Sequence, residues 1–247
     1  MIYSCEHAMQ SVANTTYSGL QELSFVEESM PEYNEHIVKL ISGALYDCES
    51  IVDFGAGIGT LADVVHKQTA VRPRCVEIDE TAQSILRHRG YQVSNSLLDL
   101  PEQVGGIYSS NVLEHIEDDR GAISDCFEAL QPGGTLVLYL PAFQLLFSGL
   151  DRSVGHYRRY SKRDLIHKLQ SSGFALKDCH YVESLGFFAS LVVKLVGYDV
   201  EGGLGSASSY EFYNKYVFPL SKKIDAVGAR HLLGKNIFVV AQKPHAA

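Results

Sequence analysis

The stretch VDFGAGIGTLA, residues 52–62, sets Gly55, Gly57 and Gly59 between a β-branched run, SIVDF, and a segment with helical spacing, IGTLADVVHKQ. Glycine accepts left-handed backbone angles, and it carries no Cβ to keep a ligand away from main-chain N–H groups. A strand passing through such a turn into a helix is the unit from which open α/β sheets are built. Ligands in those sheets bind outside the carboxyl ends of the strands. The turn also narrows the ligand. A dinucleotide fingerprint needs a third glycine at position 60, where the chain has Thr60, and the G-K-[ST] of a P-loop is absent.

The rest of the chain repeats the strand–helix rhythm. Residues 31–46, PEYNEHIVKLISGALY, carry Pro in the first turn and apolar residues at helical spacing, which predicts a helix with one apolar face. RPRCVEID, YQVSN, GIYSSNVLEH and TLVLYLPA read as the second to fifth strands. The helices between them are ETAQSILRHRG and DRGAISDCFEALQPGG, the latter expected to stop at Pro132–Gly133–Gly134. SKRDLIHKLQSSGF follows as a helix with Ser161 as its N-cap, and ALKDCHYVES and NIFVVAQKP read as two more strands. The pattern predicts an α/β fold with a doubly wound, mainly parallel sheet. Residues 1–247 then form a single domain: an N-terminal helical segment at 1–48, a core at 49–183, a helical cap insertion at 184–235, and the last strand and tail at 236–247. The cap is expected to pack over the sheet, with Phe187, Phe188, Tyr210, Phe212, Tyr213, Tyr216 and Phe218 lining an acceptor chamber or a core.

The motif led by Asp53, (D/E)xGxGxG, resembles motif I of the class I S-adenosylmethionine (SAM) methyltransferases. Later segments carry the resemblance further. CVEID puts Glu77 22 positions after Gly55, SNSLLDLP resembles the adenine-contacting segment, and IYSSNVLEHIEDD and LQPGGTLVLYLP resemble the fourth-strand motif and the fifth strand. The family implies a Rossmann-like methyltransferase fold, a doubly wound mixed seven-stranded sheet with helical cap insertions. It implies SAM as cofactor, held by Asp53, Gly55, Gly57, Gly59, Glu77, Ile78, Ser96, Leu97 and Asn111. Glu77 would accept the ribose hydroxyls, Ser96 and Leu97 would meet the adenine, and Asn111 would face the methionine part. Tyr33 in the N-terminal helix would close over the cofactor. Gly106 stands where relatives often have Asp.

Methyl transfer from a sulfonium needs alignment and a nucleophile in the right protonation state. An alcohol or phenol benefits from a base near neutral pKa, so His156 and His115 are the candidate catalytic residues. Residues 151–168 hold six Lys/Arg against two Asp, within a chain of net charge −8. GHYRRY, like similar segments of relatives beside the active site, makes Tyr157, Arg158, Arg159 and Tyr160 candidate acceptor contacts; one arginine could instead pair with Asp151 or Asp164. The expected activity is methyl transfer to a small-molecule acceptor with an anionic or polar group, at oxygen, within metabolism or natural-product biosynthesis. A SAM-binding protein without catalysis, regulatory in role, and a nicotinamide oxidoreductase are the rivals. The acidic balance, and the lack of an (N/D)PPY motif, argue against nucleic acid as partner. Five scattered cysteines with no CxxC pair argue against disulfides and structural zinc, and no metal site is expected. With no signal-peptide pattern, and an apolar stretch at 185–196 too short to span a bilayer, a cytoplasmic location is expected.

Overall fold

Each apolar run above becomes a strand of one sheet in the computed structural model, which describes residues 31–196 and 211–245. The strands are β1 Ile51–Phe54, β2 Arg74–Val76, β3 Val93–Ser94, β4 Val104–Ser110, β5 Leu130–Pro141, β6 Ala175–Val182 and β7 Asn236–Gln242. Their order is β3-β2-β1-β4-β5-β7-β6. β1 to β5 pair in parallel, and β7 runs antiparallel to both its neighbours, β5 and β6. The helices are α1 Pro31–Ala44, α2 Thr60–Thr69, α3 Glu80–His88, α4 Asp119–Ala129, α5 Gly149–Ser153, α6 Lys162–Ser171, α7 Ser184–Val196 and α8 Phe218–Ala226.

Both faces of the sheet are covered, so its central strands are apolar on alternate and intervening positions alike. Val52, Ile107, Leu136, Leu138 and Val239 pack on one face with Ile123 and Cys126 of α4 and Leu165 and Leu169 of α6. Ile51, Tyr108, Val137, Tyr139 and Phe238 pack on the other with Ile37, Val38 and Ile41 of α1 and Phe218 of α8. Gly106 faces α1 and the turn after it. A Cβ there would lie 2.8 Å from Leu45 Cδ2 and 3.0 Å from Cys48 Sγ, so an Asp at this position would require both side chains to shift.

Three expectations are corrected. α4 stops at Ala129, before the Pro-Gly-Gly, because Leu130 already pairs with Val104 of β4. The pairing then slips and resumes at Gly106–Thr135, with Gly133 at φ 82°. Pro132, which has no N–H to give a ladder, sits in the irregular part. The third strand shrinks to Val93–Ser94. Tyr33 is a core residue, edge-on to Tyr139 and Phe218, and its N–H is held by Asn214 Oδ1 at 3.2 Å.

The aromatic residues after β6 divide. Phe218 is fully buried, Phe187 meets Phe143 edge-on, and Phe188, Phe212 and Tyr216 are more than half exposed. Tyr210 lies outside the described residues. Among the described residues no helix is long and apolar enough to cross a membrane.

Candidate functional site

The chain leaves β1 through α2 towards β2 on one side, and β4 lies on β1's other side. Where strand order reverses, the connections diverge and leave a crevice at the carboxyl edge. The glycine turn stands at this crevice. Gly55, Gly57 and Gly59 have φ of 79°, 54° and 91°, a region that side chains with a Cβ resist. Packing adds a second reason: a Cβ on Gly55 would come within 2.3 Å of Val112 Cγ2, and one on Gly59 within 2.8 Å of Leu86 Cδ2.

Glu77 leaves the end of β2 beside this turn. Its Oε2 accepts from Gly57 N–H at 2.7 Å, and its Oε1 accepts from the N–H groups of Ile78 and Asp79 at 2.8 and 2.9 Å. A carboxylate has about four acceptor positions. Three are therefore engaged by backbone, and the position left on Oε2 suits one ribose hydroxyl. The expectation of two free acceptor oxygens is thus narrowed, and Glu77 also anchors the glycine turn. Ile78 is 83% exposed and Leu98, one residue beyond the expected Leu97, is 66% exposed. They follow neighbouring strands β2 and β3 and offer apolar surface for a planar base. Leu97 itself is core, and Ser96 Oγ caps the turn after it by accepting from Leu98 N–H at 3.1 Å. Asn111 is exposed at the end of β4 with φ 54°, its N–H donating to Tyr139 O at 2.8 Å. Phe143 and Glu183, just beyond β5 and β6, share this left-handed backbone at φ 60° and 64°. All three sit on the same edge, where stored backbone strain commonly marks ligand sites.

Asp53 does not reach that edge. It is buried and accepts from Tyr108 Oη at 2.8 Å. Burial pushes its carboxyl up to about 7, against the Tyr108 hydrogen bond, which lowers it; the charge of Glu77 adds a smaller rise. The folded protein then holds a proton that the unfolded chain releases near pH 4, so stability falls as pH rises from about 4 to about 7. Asp53→Asn is expected to gain about 2–3 kcal/mol on the wild type between pH 5 and pH 8. Urea titrations at both pH values test this; an equal difference at both would refute it.

The expected acceptor segment is organised by Asp151, on α5, which is 1% exposed. Its carboxylate accepts from Arg159 Nε and Nη2 at 2.7 and 3.1 Å, and from Ser148 N–H and Oγ at 2.8 and 3.1 Å. His156 Nδ1 lies 3.0 Å from the same carboxylate. Together these hold Asp151 well below the usual carboxylate range, against its own burial. Arg158 is bound to Asp119 Oδ2 at 2.9 Å and to Glu117 O at 2.8 Å. Tyr160 is buried and donates to Asp119 at 2.9 Å. Arg158, Arg159 and Tyr160 therefore tie the segment to the body of the protein, and the pairing of Arg159 with Asp151 is the alternative that the sequence offered to an acceptor contact. Tyr157, 54% exposed, is the member that faces outward.

This tethering brings the two expected histidines together, with ring centroids 4.5 Å apart and planes at 86°. Glu114 joins them. It was overlooked in the sequence, although it stands beside His115 in LEHI. Its side chain is fully buried, neither oxygen has a hydrogen-bond partner among the described residues, and Oε1 lies 3.9 Å from His156 Nε2. Burial pushes the Glu114 carboxyl up to about 8, and burial with the nearby His156 pushes His115 down to about 4.

The comparisons follow the geometry. The chain matches the family described as a methyltransferase domain over residues 26–178. A Mycolicibacterium smegmatis protein, named by inferred activity as an S-adenosylmethionine-dependent methyltransferase, is 27% identical over 136 residues. That match covers 52% of each chain, so this protein spans about half the length of its curated relative. An Archaeoglobus fulgidus SAM-dependent methyltransferase structure superposes with TM-score 0.58 at 16% identity, covering 90% of this chain and 99% of that one. A chain from the complex of the Haloferax volcanii Trm112 methyltransferase activator with a methyltransferase gives 0.60 at 12% identity, covering 94% and 100%. Fold and family agree: the chain belongs to the methyltransferase-domain family, with the Rossmann-like sheet of the class I SAM-dependent methyltransferases.

Proposed function

We propose that this protein transfers a methyl group from SAM to a small-molecule acceptor at oxygen. The observation that carries the reading is Glu77 locked against the glycine turn at the sheet's switch point, with exposed Ile78 and Leu98 beside it. These residues fit the cofactor's nucleoside: one acceptor position for a ribose hydroxyl, and apolar surface for the base. Asn111 and the turn's backbone suit the methionine part. When bound, SAM supplies an electrophilic methyl on a positive sulfonium. The protein's own task is to orient the acceptor and favour loss of its proton.

Oxygen as target is supported by the Glu114–His115–His156 cluster, which stands just past Asn111 and gathers proton-accepting groups away from bulk water. A carboxylate or phosphate-type oxygen would need no such group, so the oxygen in question is that of an alcohol or phenol. The acceptor's charge is less constrained than the sequence suggested, because Arg158 and Arg159 are already paired. The cytoplasm is the location in keeping with this reading.

Incubation with methyl-labelled SAM and a panel of phenols, alcohols and amines is the direct test. The expected outcome is S-adenosylhomocysteine formed in proportion to an O-methylated product. SAM binding without turnover on any class would favour the rival, a non-catalytic SAM-binding protein. Nicotinamide binding in place of SAM would overturn the reading.

A further inference from the structure

We infer that Glu114, His115 and His156 form a site for one divalent transition-metal ion of the zinc class. One ligand atom from each lies within 4.8 Å of the others. Two of the residues follow β4 and the third follows α5, so the ion would pin the basic segment to the edge of the sheet. Nitrogen and carboxylate oxygen are the donors zinc takes, and two imidazoles with one carboxylate leave a fourth position open.

The first argument is the isolated carboxylate. A buried acid normally finds hydrogen-bond partners, and leaving one without them is costly. Among the described residues neither Glu114 oxygen has a hydrogen-bond partner, yet one of them lies within 4.8 Å of a ring nitrogen of each imidazole. Arg159 does not resolve this. It makes no hydrogen bond to Glu114, its Nη1 is also unpartnered, and its charge is taken by Asp151. Asp151 and Arg159 balance one another, so the Glu114 carboxyl is the group an ion would pair with.

The second argument is the placement of His156. Its Nδ1 lies 3.0 Å from Asp151 Oδ1, which leaves Nε2 as the nitrogen on the Glu114 side. Nε2 stands 3.9 Å from Glu114 Oε1, too far for a hydrogen bond and far enough apart for an ion to bridge the two. Carboxylate, histidine and metal in a row is the usual way proteins orient an imidazole ligand, and here Asp151 supplies the carboxylate. Zinc binds at about 2.1 Å, which separates tetrahedral ligand atoms by about 3.4 Å. Closing the 3.9 Å between His156 and Glu114 to that spacing asks for about half an ångström of movement, and a pair at the 4.8 Å limit of the cluster for about 1.4 Å. Gly155, with φ 83°, gives the backbone turn that brings His156 onto His115.

In the reaction proposed above, and resting on that reading, the ion assigns a new role to His156. It becomes a ligand rather than the free base. The ion's charge favours the deprotonated acceptor hydroxyl, whose proton leaves to solvent. The carbon–sulfur bond to the methyl then breaks as the carbon–oxygen bond forms.

The test starts from full-length protein stripped with a chelator and titrated with zinc chloride by equilibrium dialysis. Wild type is expected to bind one zinc per chain, with Kd below about 1 μM, and its melting temperature is expected to rise with zinc. Glu114→Gln and His115→Ala, each checked for folding by circular dichroism, should weaken binding at least tenfold. His231→Ala, altering an exposed histidine elsewhere, should not change it. Cobalt(II) in place of zinc should give the intense visible bands of a tetrahedral site. Wild type that binds no zinc stoichiometrically, or folded Glu114→Gln that binds as well as wild type, overturns the inference. Zinc bound without S-adenosylhomocysteine formation would sink only the methyl-transfer reading, and undiminished turnover by zinc-free protein would sink only the ion's part in the reaction.

Discussion

Asp151→Ala is expected to lose about 3–5 kcal/mol of stability, the scale seen when one partner of a buried ion pair is removed. The loss is large because of what remains. Arg159, whose side chain is 9% exposed, keeps its charge without a counter-ion, and His156 loses the group that orients it. Ser148 loses the acceptor for both its N–H and its hydroxyl. Asp151→Asn should lose less, since its amide oxygen still accepts. The pH dependence has a definite sign. Asp151 is more acidic in the folded protein than in the unfolded chain, so its contribution is complete above about pH 4 and fades as pH falls below that. Urea denaturation at pH 7 and at pH 3.5 measures both effects. A loss under about 1 kcal/mol at pH 7 would show that the Asp151–Arg159 pair is incidental.

Glu77→Ala is expected to weaken SAM and S-adenosylhomocysteine binding by about 100-fold or more. A hydrogen bond to a charged group contributes about 1.5–3 kcal/mol, and about 1.4 kcal/mol is tenfold in affinity. One ribose contact accounts for about tenfold to a hundredfold on that scale. The remainder comes from the turn, because Gly57, Ile78 and Asp79 lose their common acceptor. Glu77→Gln discriminates between the two parts. Its amide can still meet a ribose oxygen, but its NH2 opposes a backbone N–H that Glu77 satisfies. Calorimetric titration with S-adenosylhomocysteine is the measurement. Less than a tenfold loss in the alanine variant would place the nucleoside elsewhere.

Strand exits and turn glycines were legible in the sequence because their causes are local. Apolar alternation, glycine at left-handed positions and Ser161 as an N-cap act within a few residues. The fate of the basic segment was legible only in part: Asp151 stood close enough to be named as an arginine partner, whereas Asp119 is remote. Arg158 and Tyr160 meet Asp119 across about forty positions, and a charge run reads the same whether it is paired or free. Arg159 meets Asp151 only because α5 folds back over the same loop. Glu114 shows the opposite difficulty. It was visible beside His115, but nothing in a linear sequence tells an exposed acid from one buried with no partner. Burial is a property of the assembled fold. Here it turns an ordinary glutamate into the residue that demands explanation.

The position of β7 has a consequence in time. β6 touches the rest of the sheet only through β7, which comes more than fifty residues later. As the chain leaves the ribosome, β1 to β5 can pair in order of synthesis. β6 must then wait, with the edge of β5 open beside it, until residues 236–242 insert between them. An open strand edge is a template for pairing with another chain. Slow steps that join distant segments lengthen that exposure. The last moment of assembly is therefore its most hazardous, and a chaperone acting on this protein would find its target at β5.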